Sequence, residues 1–232
     1  MSDDAGLPVV LVTGANRGIG RAVAVDLATD HRLLIGGRDA DEVQQVCAQL
    51  SSAQPFVADL ADEQATARAA GSVQRVDAVV HSAGMLGSGL AGDLSRTDWR
   101  RVLELNVIAV ADLTRLLLPQ LRERKGTVVL INSGSGLSST AGGGLYAASK
   151  FALRAYADAL REEERAHGVR VSSIHPGRVA TDMQQELNNF EGRDYDESRY
   201  LTPESVAAAV RLAITAPRGA TVEMLSVRPG PN

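Results

Sequence analysis

The chain has 232 residues, 44% of them hydrophobic, and 24 Lys and Arg stand against 28 Asp and Glu for a net charge of −4. That length fits one large domain whose core needs no staples, and the single cysteine, Cys47, has no partner for an internal disulfide. Mild acidity argues against nucleic acid or an anionic membrane as a partner. No apolar run reaches membrane-spanning length, and the opening Met-Ser-Asp-Asp-Ala-Gly lacks the basic and apolar parts of a secretory signal. A cytoplasmic protein is expected.

Residues 8–13 read as the first strand, 17–28 as the first helix, 33–37 as the second strand and 40–50 as the second helix. Strands at 55–59 and 78–81 bracket a helix at 62–73. A long helix spans 98–124, followed by a strand at 127–132, a helix at 146–167 and a strand at 169–175. A helix at 203–216 and a strand at 222–227 close the pattern. The strands are apolar on both sides, as strands of a sheet covered on both faces must be. Repeated strand–helix alternation implies right-handed crossovers and an α/β doubly wound parallel sheet of about seven strands with helices on both faces. With no linker and no repeat, a single domain over 1–232 is expected. One irregular stretch near 181–201, rich in Asn, Asp, Glu and Tyr, is expected to be a substrate loop at the carboxyl ends of the strands.

Thr13-Gly14-Ala15-Asn16-Arg17-Gly18-Ile19-Gly20 leaves the first strand and opens the first helix. Three glycines permit positive φ and let backbone N–H groups approach a pyrophosphate at a helix N-terminus. The strand–turn–helix context sets this segment apart from an ordinary glycine-rich turn. Farther on, Tyr146 and Lys150 lie four residues apart on one face of a helix start. A free phenol titrates at about 10. A fixed cation beside it favours the phenolate and lowers that value, which suits it to exchange a proton with a carbonyl or alcohol oxygen. Alone, such a pair is commonly surface decoration. Ser133, at a strand end upstream of Tyr146, adds a hydroxyl that can steady a developing oxyanion, although a strand-end serine is also an ordinary turn residue.

Together these motifs resemble the short-chain dehydrogenase/reductase family in its TGxxxGxG and YxxxK form, and the resemblance covers nearly the whole chain. It implies a Rossmann-type, dinucleotide-binding domain with a tetrad of Asn106, Ser133, Tyr146 and Lys150. Ile131-Asn132-Ser133-Gly134-Ser135-Gly136 is similar to the family's Ile-Ser-Ser-x-x-Gly, a register that makes Ser133, not Ser135, the partner of the substrate oxygen; Asn132 departs from that pattern. Asn106, in Leu105-Asn106-Val107, is unfavoured in an apolar helix. By resemblance it organises a proton path to Lys150; the alternative is a buried Asn bonding its own helix. The resemblance places cofactor phosphates on Gly14, Asn16, Arg17, Gly18, Ile19 and Gly20, and the adenine beside Asp59 and Leu60. It places the ribose beside Ser82, Ala83 and Gly84, and the nicotinamide beside Pro176, Gly177, Val179 and Thr181, with Thr181 bonding the carboxamide; Tyr146 and Lys150 also count among the cofactor-binding residues. His81-Ser82-Ala83-Gly84 departs from the family's Asn-Asn-Ala-Gly at its first two positions.

An enzyme selective for NAD typically ends its second strand with an acid on the ribose hydroxyls. Here Gly37 stands at that point and Arg38 follows, suited to fork onto a 2′-phosphate. A strand end shifted by one or two residues would put Asp39 there instead. NADP(H) is therefore expected over NAD(H). His31, His81, His167 and His175 show no metal-ligand spacing, so no metal is expected. Gly142-Gly143-Gly144 either lends turn flexibility or clears the substrate approach. The helices at 98–124 and 146–167 are apolar beyond one stripe, and the family's matching helices pair subunits, so a homodimer or homotetramer is expected, with Ala147, Phe151, Ala155 and Ala159 as contact residues. The expected activity is NADP(H)-dependent interconversion of a small-molecule carbonyl and alcohol, with Tyr146 as general acid/base. The rival reading is a redox-silent NADP(H)-binding sensor or scaffold, which a broken tetrad would signal. The segments 84–94, 137–145 and 181–201 set specificity, and their composition names no substrate.

Overall fold

Seven parallel strands make one sheet in the computed structural model, which describes residues 6–230. They are β1 (Val9–Val12), β2 (Arg32–Gly37), β3 (Ala53–Val57), β4 (Ala78–His81), β5 (Thr127–Ile131), β6 (Arg170–Pro176) and β7 (Met224–Val227). Their order is β3-β2-β1-β4-β5-β6-β7. The winding thus reverses between β1 and β4, which opens a crevice at their carboxyl ends. β1, β4 and β5 are buried at every residue, and this is why they read as unbroken apolar runs. The expected doubly wound sheet is what the chain forms.

On one face α1 (Gly18–Leu27), α2 (Ala40–Cys47) and α8 (Pro203–Thr215) cover Val10, Val12, Ile35 and Ile131 with Val23, Leu27, Val43 and Val210. On the other, α3 (Glu63–Gly71), α5 (Ala109–Arg124) and α6 (Gly144–Glu164) cover Leu11, Val79, Leu130 and Val171 with Leu113, Leu117, Leu121 and Leu153. Truncating any of these leucines to alanine costs about 2–5 kcal/mol, so the two layers fix the sheet and with it the loops at its carboxyl edge. Cys47 is buried in the first layer, where burial pushes its thiol up and keeps it unreactive.

The structure corrects four readings. The segment expected as one helix over 98–124 is α4 (Arg96–Leu103), a widened π-helical turn (Glu104–Ile108) and α5. A residue held to a neighbouring loop explains the interruption, as described below. The stretch expected to be irregular over 181–201 begins with α7 (Asp182–Glu191). Its most buried residues are the amides Gln184 and Asn188, while Met183, Leu187 and Phe190, at helical spacing, are only partly covered; the polar residues around this stripe read as a loop. Gln184 Nε2 donates to Asn188 Oδ1 at 2.6 Å, and Asn188 Nδ2 donates to Asp194 O and Tyr200 Oη, each at 2.8 Å. β3 ends at Val57, so Asp59 and Leu60 follow that strand and do not end it. Finally, Ala147 is buried within its own subunit and is no contact residue, whereas Phe151, Ala155 and Ala159 are exposed.

Candidate active site

At the switch point, Gly14 (φ +63°) and Gly18 (φ +53°) adopt the left-handed conformation that only glycine enters cheaply. A Cβ on Gly14 would stand 2.9 Å from Ala83 Cα, and one on Gly18 would meet Thr181 Cγ2 at 3.3 Å. The first turn, the 82–84 loop and the segment after β6 therefore close on one another. Thr13 Oγ1 ties them further, accepting from the N–H groups of Ser82 at 3.0 Å and Ala83 at 3.1 Å. Ile19 packs into the core layer beneath. Arg17 is the N-cap of α1 yet offers no side-chain cap, and the first turn holds no acid. Its guanidinium reaches across to Asp182 at the start of α7, 3.4 Å away, with both side chains largely in solvent.

β2 ends at Gly37, as the sequence reading placed it. A Cβ there would collide with Val43 Cγ2 at 2.6 Å. Arg38 follows, exposed. Asp39 is occupied: its Oδ1 accepts from the N–H groups of Asp41 and Glu42, both at 3.0 Å, and caps α2. Asn16 Nδ2 donates to Glu42 Oε2 at 2.6 Å, so the glycine turn leans on the same helix start. Asp59 is exposed, its Oδ1 accepting from Ala61 N at 3.0 Å, while Leu60 packs against the core.

Across the crevice, β5 delivers Ser133 and α6 delivers Tyr146 and Lys150. Lys150 is buried and its Nζ donates to Ile131 O at 2.9 Å. It lies 5.7 Å from the centroid of the Tyr146 ring. With no carboxylate to compensate it, burial pulls the ammonium down to about 8. Tyr146 does not show the lowered value expected of it. Burial pushes the phenol up to about 12, the hydrogen bond from Ser133 working the other way. Asn106 does not bond its own helix. Its Oδ1 accepts from Met85 N at 2.9 Å, and its Nδ2 donates to Met85 O at 3.0 Å and to Ser149 Oγ at 3.1 Å. The π-helical turn around it accommodates this grip on the 84–85 loop, a common use of such turns. Gly84 gives the amide room, since a Cβ there would lie 3.3 Å from Asn106 Oδ1.

A family model described as short chain dehydrogenase matches residues 8–192. The chain belongs to this family of oxidoreductases. It is 31% identical to serine 3-dehydrogenase of Rhizobium radiobacter over 231 residues, covering 95% of this chain and 93% of that one. A Beutenbergia cavernae protein solved with bound NADP at low occupancy is 32% identical, with a TM-score of 0.87 and 95% of each chain covered. The closed form of a serine dehydrogenase complexed with NADP+ is 27% identical, with a TM-score of 0.85 and 94% of each chain covered.

In this short-chain dehydrogenase the segment after β6 binds the crevice together. Pro176 ends β6, Gly177 N donates to Val227 O at 2.7 Å, and Val179 is buried and bridges to Leu201. Thr181 Oγ1 donates to Val179 O at 3.2 Å. Arg178 forks onto Glu191 at 2.9 and 2.5 Å and so pins the far end of α7. The three specificity segments meet there: Gly89 N donates to Gly142 O at 2.9 Å, and Phe190 of α7 rests on Gly142. A cavity of about 180 Å³ between them is lined by Leu86, Leu94, Arg101, Leu145, Glu186 and Phe190, among others. A larger cleft of about 520 Å³ lies at the opposite, amino end of the sheet, around Pro8, Ala78, Thr127 and Arg170. It contains none of the candidate residues. Sequence reasoning missed the roles of Thr13 and Ser149, whose hydroxyls bond the 82–83 N–H groups and the Asn106 amide, and of Met85, which acts through its backbone alone and so leaves no side-chain signature.

Proposed function

We propose that this protein is an NADP(H)-dependent oxidoreductase that interconverts a ketone or aldehyde and an alcohol, one domain carrying the whole reaction. The observation that carries the reading is the meeting of the Ser133 hydroxyl, the Tyr146 phenol and the buried Lys150 ammonium beside a helix start that has no cap of its own. The dinucleotide fits the residues present. Side chains at Gly14 and Gly18 would fill the phosphate cradle, and the free N–H groups of α1 suit an anion. Gly14, Asn16, Arg17, Gly18, Ile19 and Gly20 would hold the phosphates and Arg38 the 2′-phosphate. Asp59 and Leu60 would border the adenine, Ser82, Ala83 and Gly84 the ribose, and Pro176, Gly177, Val179 and Thr181 the nicotinamide. NADP(H) is favoured over NAD(H) because β2 ends without an acid and Asp39 is taken up in capping α2.

When bound, the cofactor supplies or accepts the hydride. The chain's own residues manage the oxygen. Ser133 Oγ–H donates to it, and Tyr146 Oη–H hands it a proton in reduction or takes one in oxidation. With its phenol near 12, Tyr146 keeps its proton at neutral pH, the form that reduction needs. Alcohol oxidation is accordingly expected to climb with pH to above 10, and a rate that levels off near pH 7 would count against this. Lys150 Nζ and Asn106 organise the back of the site. Tyr146→Phe is expected to cut turnover by about 10²-fold or more while reduced-nicotinamide fluorescence still reports cofactor binding. Near wild-type turnover would sink the mechanism. The likeness to serine 3-dehydrogenase makes serine and other 3-hydroxy acids the first alcohols to try.

Phe151, Ala155 and Ala159 form an exposed stripe along α6, and Ile108 is exposed on the preceding helical segment. They support a homodimer or homotetramer, which light scattering at micromolar concentration tests; a monomer there would remove this part of the reading. Among the described residues no helix is long and apolar enough to cross a membrane.

A further inference from the structure

β6 changes character along one of its sides. Val171 lies in the apolar layer under α6, but Ser173 and His175, the next two residues pointing the same way, are polar and wholly buried. Polar groups so deep must be paired, and their partners lead to Ser133. His175 Nδ1 lies 3.0 Å from Ser133 O, and Ser173 Oγ lies 2.9 Å from His175 Nε2. Asn132 Nδ2 reaches Ser173 Oγ at 3.5 Å, and Asn132 Oδ1 accepts from Ser133 N at 2.9 Å.

The direction of each bond follows from its chemistry. A carbonyl oxygen only accepts, so His175 carries its hydrogen on Nδ1. Burial holds its pKa down, aided by the charges of Arg154 and Lys150 on α6 and of Arg228 after β7, with the Ser133 carbonyl pulling the other way. The ring is then neutral, its Nε2 accepts, and Ser173 Oγ–H donates to it. Ser173 is left a lone pair for the Asn132 amide. Arg228 donates to His175 O at 2.6 Å and fixes the strand end from outside. Both backbone groups of Ser133 are thus held by one chain of three side chains. Its Oγ accepts from Ser135 N at 3.1 Å, which leaves the hydroxyl hydrogen to point elsewhere.

We propose that Asn132, Ser173 and His175 are positioning residues that lock the backbone of Ser133 and so aim its hydroxyl at the substrate oxygen. The proposal rests on the assignment of Ser133 to that oxygen. It also gives the departure at Asn132 a purpose, because the amide spans Ser133 N and Ser173 Oγ at once.

Two measurements test it. In cofactor-free protein labelled with 15N-histidine, long-range 1H–15N spectra at pH 7 are expected to show His175 neutral and protonated on Nδ1, the signal identified by its loss in His175→Asn. Protonation on Nε2, or an imidazolium, overturns the proposal. The second is a double-mutant cycle, with NADPH and 9,10-phenanthrenequinone as the assay pair. His175→Phe is expected to lower kcat by about 30-fold at unchanged KM for NADPH, and by no more than about 2-fold in a Ser133→Ala background. His175→Asn, which keeps an N–H near the Nδ1 position, is expected to restore most of the loss. Equal losses in both backgrounds would mean the three residues act on stability and not through Ser133. If His175→Phe does not fold, Ser173→Ala enters the same cycle. Should Ser133→Ala itself leave turnover untouched, the assignment of Ser133 to the substrate oxygen falls and the proposal with it, while the tautomer measurement still decides whether the relay exists.

Discussion

The helices α1 and α2 both begin at the carboxyl edge of the sheet, and they begin in opposite ways. Asp39 closes α2 by accepting from two of its N–H groups, and Asp41 and Glu42 add negative charge to the first turn. α1 has neither, with Arg17 at the N-cap and no acid in the turn. The same division runs through the fold. Asp62, Ser95 and Thr202 cap α3, α4 and α8 with their side chains, while α6 and α7 start without such a cap. The open starts of α1, α6 and α7 border the crevice, and α5, also without a side-chain cap, continues directly from the π-helical turn. A capped helix satisfies its own N-terminus, and an uncapped one leaves its N–H groups and partial positive charge for something else. Local stability has been withheld on the side where a ligand would be held.

The largest expected effect concerns Lys150, the buried charge on the open side. Its folded-state value near 8 lies below the ordinary 10.5. Between these values the unfolded chain binds more protons than the folded one, so stability rises with pH across the window, by about 3 kcal/mol in full. Below pH 8 the whole penalty is carried. Lys150→Met is expected to remove that rise, most plainly in urea unfolding at pH 7.5 and 9.5, where the two proteins would differ in slope by about 2 kcal/mol. Parallel pH dependences would show that the ammonium is better solvated than its burial implies. Next, Arg17→Asp gives α1 the start that α2 has. NADPH affinity is expected to fall by about 30-fold, roughly 2 kcal/mol, with no loss of thermal stability; unchanged affinity in a fluorescence titration would erase the functional side of the comparison. Arg38→Ala is expected to weaken NADPH by about tenfold and leave NADH alone, and an equal loss for both cofactors would detach Arg38 from the 2′-phosphate. The smallest effect belongs to the closed start. Asp39→Ala is expected to cost about 1 kcal/mol of stability as a lost cap and to leave NADH binding unaltered, whereas a clear fall in NADH affinity would make Asp39 a ribose ligand after all.

The sheet was legible because burial on both faces writes unbroken apolar runs at Val9–Val12, Ala78–His81 and Thr127–Ile131. The glycine turn and the Tyr146–Lys150 pair were legible because their chemistry needs particular side chains at fixed spacing. α7 was passed over: Met183, Leu187 and Phe190 stand at helical spacing, but they are only partly covered and lie among Asn, Gln, Asp and Glu, the composition of a loop. Nor was the π-helical turn, which depends on Asn106 finding Met85, a contact between distant segments. The raised phenol of Tyr146 was misread for a similar reason. Spacing brings a cation near the ring, but only the fold shows how deeply the phenol itself is buried. At Asp39 the sequence left two roles open, and the cap geometry now favours one.

The amide-lined underside of α7 has a thermal consequence. Apolar burial gives folded proteins their large heat-capacity change and the curved dependence of stability on temperature. A segment seated on Gln184 and Asn188, with Met183 and Leu187 partly covered and Phe190 about half exposed, would uncover less apolar surface on opening than one seated on buried leucines. Its opening equilibrium would then follow a nearly straight van't Hoff line while the body of the domain follows a dome. On warming, access to the cleft would change smoothly and well before the sheet melts. On cooling, the segment would tighten steadily where a greasy lid would begin to lose its grip.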